Sequence, residues 1–340
     1  MVIPSEKVIW VLQGARAGDN AQARELARRL GAQVVCKQLS FNTLHMLPNW
    51  ALGASIASLR SSARNELKSP WPDMVIATGK RAAPVARWIK RQSKGLARTV
   101  MLGRPRACLA AFDLVISTPQ YGLPPEANVM EMPLPFAAPS AIDLAQLQRW
   151  QDQWKHLPKP LAGVMIGNGK YPVKFGDAEI RELTEQLARH LTGSALLIAS
   201  PRTAEGVVAR IGKGLVIPHI AYGKFEPNNN PYQAAIAICD RFVVTSDSVS
   251  MISDLIDSGK PVDVFKLGAA KVQLHWSAKR GLGAWLARTG LVQPPRNVAA
   301  LVDSLVEKRL LGVLGAPTRI EPYGRDDQQI LQRLALLIKP

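Results

Sequence analysis

The chain has 340 residues, with 43 Lys and Arg against 26 Asp and Glu, and a formal net charge of +17. Its 47% hydrophobic and 20% charged content excludes a disordered chain, and no apolar run reaches the ~18–20 residues of a membrane-spanning helix. The length accommodates two domains of ordinary size, each with its own core.

The opening run MVIPSEKVIWVLQG enters a strand at once, without a basic n-region, cleavage site or amphipathic presequence, so the chain is expected in the cytoplasm. Cys36, Cys108 and Cys239 are odd in number and widely spaced in apolar surroundings, which predicts buried, reduced thiols. The five histidines are scattered without ligand spacing, and no metal is expected. The positive charge attracts polyanions: nucleic acid, an anionic membrane or a phosphorylated substrate. No recognition helix or aromatic-basic motif supports nucleic acid, which is not an expected partner.

Apolar β-branched runs alternate with amphipathic helical stretches, the pattern of βαβ units and a parallel sheet. Strands are predicted at 7–14, 33–39, 73–78, 98–102, 113–118 and 128–132, with helices over Ala21–Leu30 and Ala82–Gln92. Prolines 133, 135, 139, 158 and 160 then bracket an amphipathic helix. A second series follows: strands at 160–169, 194–200, 214–220, 240–246 and 261–265, with helices over Asp177–Leu191 and Val249–Ser258. The rest is helical from Val272, ending in Asp327–Lys339. The expected fold is α/β, two Rossmann-like domains facing across a cleft. The expected division is an N-terminal domain over 1–135, a linker over 136–160 and a C-terminal domain over 161–325. The last stretch, 326–340, is a helix that can return to the first domain.

Three loops at the carboxyl ends of the second series carry candidate chemistry. In DRFVVTSDSVSM (240–251), a buried strand runs into a helix whose start holds Ser246, Asp247, Ser248 and Ser250. These residues either cap the helix or, with its free amides and dipole, seat a phosphate. Gly167, Asn168 and Gly169 permit close backbone approach and Lys170 adds charge, or else form an ordinary turn. Arg202, in ASPRT (199–203), can clamp a diphosphate.

In the first series, the loop Gly14–Asn20 has G-x-x-x-G rather than G-x-G-x-x-G spacing, and no acid follows the second strand. A dinucleotide cofactor is therefore not expected, and no other cofactor is implied. The absence of a Tyr-x-x-x-Lys pair argues against a short-chain reductase or sugar epimerase. Asp19 is either a general base or the N-cap of the helix that follows, and Arg16 either meets an anionic acceptor or lies in solvent. The segment 41–68 carries Met46, Leu47, Trp50, Leu52, Ile56 and Leu59 ahead of Arg60, Arg64 and Lys68. A helix of that composition lies in a bilayer interface or packs on its own domain. Between Asp73 and Asp113 there is no acid, while nine Lys and Arg fall there, including Arg87, Lys90 and Arg91. Trp50, Arg60, Arg64, Arg87, Lys90 and Arg91 are the candidate membrane-facing set, with attachment to the inner membrane face. The other reading of the run is a solvated basic surface.

The stretches VLQGARAGDNAQARELARRLG (11–31), LPNW (47–50), ASPRTA (199–204) and NPYQAAIAICDRFVVTSDSVSMISDLIDSGKPVDVF (230–265) resemble the mitochondrial-fission ELM-type family, from about residue 7 to 338. That family is similar in layout to GT-B glycosyltransferases, including those that use lipid-linked acceptors. The resemblance implies a nucleotide-sugar donor site at Gly167–Lys170, Arg202–Thr203 and Ser246–Ser250, which includes Val249. Asn230, Pro231 and Tyr232 match the family's Asn-Pro-Tyr beside it, and Asp254 is the candidate acidic ribose ligand. Many bacterial relatives carry His where Asp19 stands. The implied activity is metal-independent transfer of a sugar, with a lipid-linked or envelope glycan as acceptor. The alternative is a non-catalytic, membrane-associated adaptor that keeps the GT-B shell.

Overall fold

The computed structural model describes residues 6–136, 142–169, 175–224, 226, 229–268, 281–292, 296–316 and 327–338. The chain forms two compact units: unit 1 comprises residues 1–138, 275–297 and 326–340, and unit 2 comprises 139–274 and 298–325. Each is a Rossmann-like α/β layer structure around a parallel six-stranded sheet. No described helix is long and apolar enough to cross a membrane.

Unit 1 begins with β1 (Val8–Gln13), α1 (Ala17–Leu30) and β2 (Gln33–Gln38), then the short α2 (Asn49–Leu52) and α3 (Ser61–Asn65). It continues through β3 (Met74–Thr78), α4 (Gly79–Gln92), β4 (Arg98–Leu102), β5 (Leu114–Ser117) and β6 (Val129–Glu131). The sheet order is β2-β1-β3-β4-β5-β6, parallel throughout. Unit 2 holds α5 (Leu144–Trp154), β7 (Leu161–Ile166), α6 (Asp177–His190), β8 (Ser194–Ala199), α7 (Val207–Lys213), β9 (His219–Tyr222), α8 (Tyr232–Ile238), β10 (Arg241–Thr245), α9 (Val249–Asp257) and β11 (Val262–Phe265). Of the remaining elements, α10 (Gly281–Thr289) and α12 (Gln328–Leu337) belong to unit 1, and α11 (Val298–Glu307) and β12 (Gly312–Val313) to unit 2. The second sheet runs β12-β11-β10-β7-β8-β9. Numbered from β7, this is the dinucleotide-fold order 3-2-1-4-5-6 read from its other edge, and the order reverses between β7 and β10.

The period-2 alternation of β1, β3, β4 and β5 explains why helices cover both faces of the first sheet. Trp10, Leu12, Val75, Ala77, Met101 and Val115 meet Ala82–Ile89 of α4 on one face. Ile9, Val11, Met74, Ile76, Val100, Leu114 and Ile116 meet Leu26 and Leu30 of α1 on the other, with Ile330, Leu334 and Ala335 of α12. In unit 2, α6 and α7 bury Ile180, Leu183, Leu187, Val208 and Ile211 against Ala162, Val164, Leu197 and Val243. Each large aliphatic side chain so buried contributes roughly 1.5–3 kcal/mol. Between α5 and β9, Trp154 donates its indole N–H to the Tyr222 hydroxyl at 2.7 Å.

Several expectations need correction. Helix α1 starts four residues early, because the Asn20 amide already bonds the Arg16 carbonyl at 3.1 Å. The 214–220 run is a strand only from His219; Pro218 has no N–H for the ladder, and Leu215 is buried after α7 instead. Segment 41–68 is not one amphipathic helix: Pro48 and a left-handed Gly53 (φ +61) break it up. Its Leu59 is buried and Ile56 packs on the core. Cys239 is buried, and burial foremost pushes its thiol up to about 12, whereas Cys36 and Cys108 are exposed. Cys36 lies on the edge strand β2.

Within the acid-free run, Lys90 and Arg98 are paired in space with the acid that ends it. Asp113 accepts from Lys90 Nζ at 2.8 Å, from the Thr99 amide at 2.8 Å and from the Thr99 hydroxyl at 2.9 Å. Burial alone would raise this carboxyl, but the Lys90 and Thr99 bonds outweigh it and hold it below the usual range. A depressed folded value contributes stability above the ordinary carboxylate pKa, and that stability is lost as pH falls through the folded value. Asp113→Asn is expected to cost about 2–3 kcal/mol at neutral pH and to flatten the acid limb of stability. Urea unfolding from pH 7 down to 3 measures both.

Candidate functional site

The loops after β7, β8 and β10 lie on one edge of the second sheet, because these adjacent strands are parallel. After β7, the Gly167 amide donates to the Thr245 hydroxyl at 2.8 Å. The Asn168 and Gly169 amides both donate to Asp247 Oδ2, at 2.8 and 3.0 Å. A Cβ on Gly167 would meet the Asp247 carboxylate at 2.2–2.5 Å, so only glycine allows this approach. The Gly-Asn-Gly amides that read as a phosphate cradle are thus filled by a carboxylate of the same unit. Lys170 lies outside the described residues.

After β8, the Ser200 amide donates to the Thr203 hydroxyl at 2.8 Å. That hydroxyl also lies 2.7 and 2.9 Å from the Ile166 and Gly167 carbonyls. Thr203 therefore ties two loops together, and Arg202 beside it is exposed.

After β10, Ser246 accepts from the Leu267 amide at 3.0 Å and Val249 is core. Ser248 stands at the N-cap of α9, yet its side chain makes no capping bond. The expectation that this polar run caps the helix is corrected for that residue. Amides of the first turn of α9 have no intrahelical partner, and the helix dipole makes its start positive.

A hollow of about 210 Å³ opens there, lined by Ser200, Arg202, Asn230, Tyr232, Ser248, Ser250, Met251 and Asp254, among others. Six of the residues singled out in the sequence thus meet: Arg202, Asn230, Tyr232, Ser248, Ser250 and Asp254. Gly167, Asn168, Gly169, Thr203, Ser246, Asp247 and Val249 do not line it. Sequence reasoning missed Ser200, which follows an apolar strand as Ser246 does, and Met251, which looks like any core residue. At the start of α8, Asn230 Oδ1 accepts from the Tyr232 amide at 3.1 Å. The Tyr232 hydroxyl donates to Asp254 Oδ2 at 3.1 Å. Burial first, and then the Asp254 charge, raises the Tyr232 phenol well above its ordinary value, which keeps it a donor.

A family model described as mitochondrial fission ELM1 matches residues 17–322. The chain belongs to that family. The Arabidopsis thaliana mitochondrial fission protein ELM1 is 31% identical over 242 residues, which cover 63% of this chain and 56% of that protein. The chain thus spans little more than half the length of this plant relative. An uncharacterized protein of Rickettsia prowazekii is 24% identical over 298 residues, 76% of this chain and 82% of its own. Among solved structures, a glycosyltransferase from Rickettsia africae aligns over 89% of this chain and 97% of its own, at 10% identity and a TM-score of 0.47.

In unit 1 of this ELM1-family chain, Asp19 sits in the first turn of α1, whose N-cap is Arg16. The N-cap reading of Asp19 is thereby corrected. Arg16 Nη1 lies 4.0 Å from Asp19 Oδ2, and burial raises the carboxyl against the lowering pull of Arg16 and Arg296. Of the membrane-facing set, Trp50 is 64% exposed. Lys90 is held by Asp113. Arg64 is spent on the Ala57 and Leu59 carbonyls at 2.7 and 2.9 Å. Arg60 and Arg87 reach the Phe41 and Gly53 carbonyls at 3.2 and 3.3 Å, and Arg91 is exposed.

Gly167→Ala is expected to push Asp247 off the two amides and to lower stability by about 2–3 kcal/mol. Gly18→Ala, in α1 with open space around its new Cβ, is expected to gain about 0.5–1 kcal/mol. Chemical denaturation of the pair separates the steric effect from a general intolerance of alanine.

Proposed function

We propose that the chain is a GT-B-type glycosyltransferase that takes a nucleotide-activated sugar in unit 2. The observation that carries this reading is the hollow at the start of α9. The uncapped start of α9, with Ser248, Ser250 and Arg202, lines one space. Such donors stabilise a leaving diphosphate by fixed dipoles and charge. The hollow is smaller than the ~300–1,000 Å³ of pockets for drug-sized ligands. It suits the phosphoryl part of a donor, with the remainder lying outside it. Asp254, oriented by Tyr232, offers a carboxylate oxygen to a ribose or sugar hydroxyl.

Asp19 serves as the base that takes the acceptor's proton. Its raised pKa suits a group that must accept and then release a proton. The acceptor is a lipid-linked or envelope glycan met at a membrane surface, a reading supported by exposed Trp50 and the positive net charge. The plant relative's name favours a second reading, a membrane-associated adaptor in which the hollow is vestigial.

Uridine diphosphate, and each other nucleoside diphosphate in turn, is the probe. At least one is expected to raise the Tm, and Arg202→Ala is expected to weaken its binding about tenfold or more. Asp19→Asn is expected to bind the same ligand normally but to abolish sugar transfer with membrane extract as acceptor source. In the unaltered protein, transfer should fall as pH drops through an apparent pKa above that of an ordinary aspartate, because the base must be ionised. No stabilisation by any nucleoside diphosphate would overturn the transferase reading and leave the adaptor.

A further inference from the structure

Unit 1 gathers cations at the carboxyl ends of its own strands. β3 runs into Gly79 (φ +73), Lys80 and Arg81, and β4 into Gly103 (φ +77), Arg104, Pro105 and Arg106. These adjacent parallel strands put the first turn of α4 and the loop after β4 on one edge of the sheet. Asn49, only 2% exposed, fastens them together: its amide nitrogen donates to the Lys80 carbonyl at 2.9 Å and the Pro105 carbonyl at 2.8 Å. A third segment is drawn in after β5. The Gln120 carbonyl accepts from the Asn297 amide at 2.8 Å, and its side-chain oxygen accepts from Arg296 Nε.

Arg104 is 8% exposed, with its guanidinium carbon 5.5 Å from the centre of the Tyr121 ring. Arg106 holds a left-handed backbone (φ +51) that a non-glycine residue adopts at a cost. The cations oppose one another. Burial first, and then Arg106 and Arg296, pull Arg104 down to about 10. Burial, Arg106 and Arg81 likewise lower Lys80. Cations gathered from three segments onto one sheet edge raise the local positive potential, which draws in a multiply charged anion.

We infer that this edge of unit 1 binds a phosphate-bearing group, a phosphate monoester or a diphosphate, through Lys80, Arg104, Arg106 and Arg296. Guanidinium forks match the paired oxygens of such a group. Asp19, which feels Arg296, stands beside the site. The same Asn49 clamp seats an apolar lip against it. Met46 is 75% exposed, its carbonyl accepts from Lys80 Nζ at 3.3 Å, and Trp50 follows one residue after Asn49. A phosphate held here has exposed hydrocarbon at its side, which a lipid phosphate would cover and a soluble one would not. The site stands independently of the donor hollow; under the transferase reading its ligand is the acceptor.

Inorganic pyrophosphate titrated calorimetrically into Arg202→Ala protein tests the site, since that variant lacks the main cation of unit 2's hollow. Binding is expected, and Arg106→Ala and Arg296→Gln, both at exposed positions, should each weaken it about tenfold. Vesicles of phosphatidylcholine with phosphatidic acid, and matched vesicles with phosphatidylserine, distinguish the source. If pyrophosphate displaces the protein from phosphatidic acid vesicles alone, and Trp50→Ala reduces that attachment, the ligand is a lipid phosphate. Pyrophosphate binding with no vesicle attachment marks a soluble ligand and also supports the site. Absent pyrophosphate binding, or binding unchanged by both substitutions, overturns it. A failure of the donor reading shows separately, as nucleoside diphosphate binding that Arg202→Ala does not alter.

Discussion

The Asp247 carboxylate fixes the candidate functional edge of unit 2. It reaches from the loop after β10 to the amides after β7, across the point where strand order reverses. Loops diverge at such a point, and a ligand ordinarily occupies the crevice between them. Here a charged acceptor bridges the gap, and hydrogen bonds to a charged group are roughly twice as strong as neutral ones. Gly167 is the condition for the bridge, because a side chain there would occupy the carboxylate's own position. Thr203 ties the β8 loop to the same strand end. With the nest after β7 filled from within, the open space shifts to the start of α9. There the helix amides lack a side-chain cap and Ser248 leaves its hydroxyl uncommitted to capping.

The strands were legible because those buried on both faces read as continuous apolar runs, as in IWVLQ, MVIAT and FVVT. Reading failed where a strand is brief or its run contains proline. β12 has two residues, and Pro218 divides an apolar stretch of which only the end pairs. The site was half legible for a related reason. Ser246, Asp247, Ser248 and Ser250 are equivalent as letters, but one caps a loop from Leu267, one fills a nest and two face the hollow. Which oxygen is spent internally depends on partners some 20–80 residues away, beyond any local pattern. The cations behave alike: Arg64 and Lys90 resemble Arg106 in sequence, yet the first is committed to carbonyls and the second to Asp113.

Unit 1 shows how an apparently uniform basic stretch becomes polarised by folding. Asp73 and Asp113, the acids that bound it, lie at the amino ends of β3 and β5, where they bond Lys7 and Lys90. The opposite ends of β3 and of the neighbouring β4 carry Lys80, Arg81, Arg104 and Arg106. Charge is therefore separated along the strands, with the net positive end at the loops where α/β sheets bind ligands. Asp19 stands at that end. Cations alone would hold its carboxyl down, but burial prevails and raises it. A carboxyl in that state differs from a structural ion-pair partner such as Asp113, whose partners prevail over burial.

Under the two proposals, the sheet edges meet anions by different physics. Unit 2 relies on backbone amides and hydroxyls, short groups fixed by strands and helix, whose attraction acts over contact distance and demands a defined geometry. Unit 1 relies on long guanidinium and ammonium side chains, whose field extends about a Debye length, roughly 8–10 Å at physiological salt. The first arrangement selects among anions by shape; the second draws in any multiply charged one, and selects only through what adjoins the charge. In this molecule the adjoining surface is the exposed Met46 and Trp50, so the proposed site would discriminate through the apolar part of its ligand rather than through its phosphate.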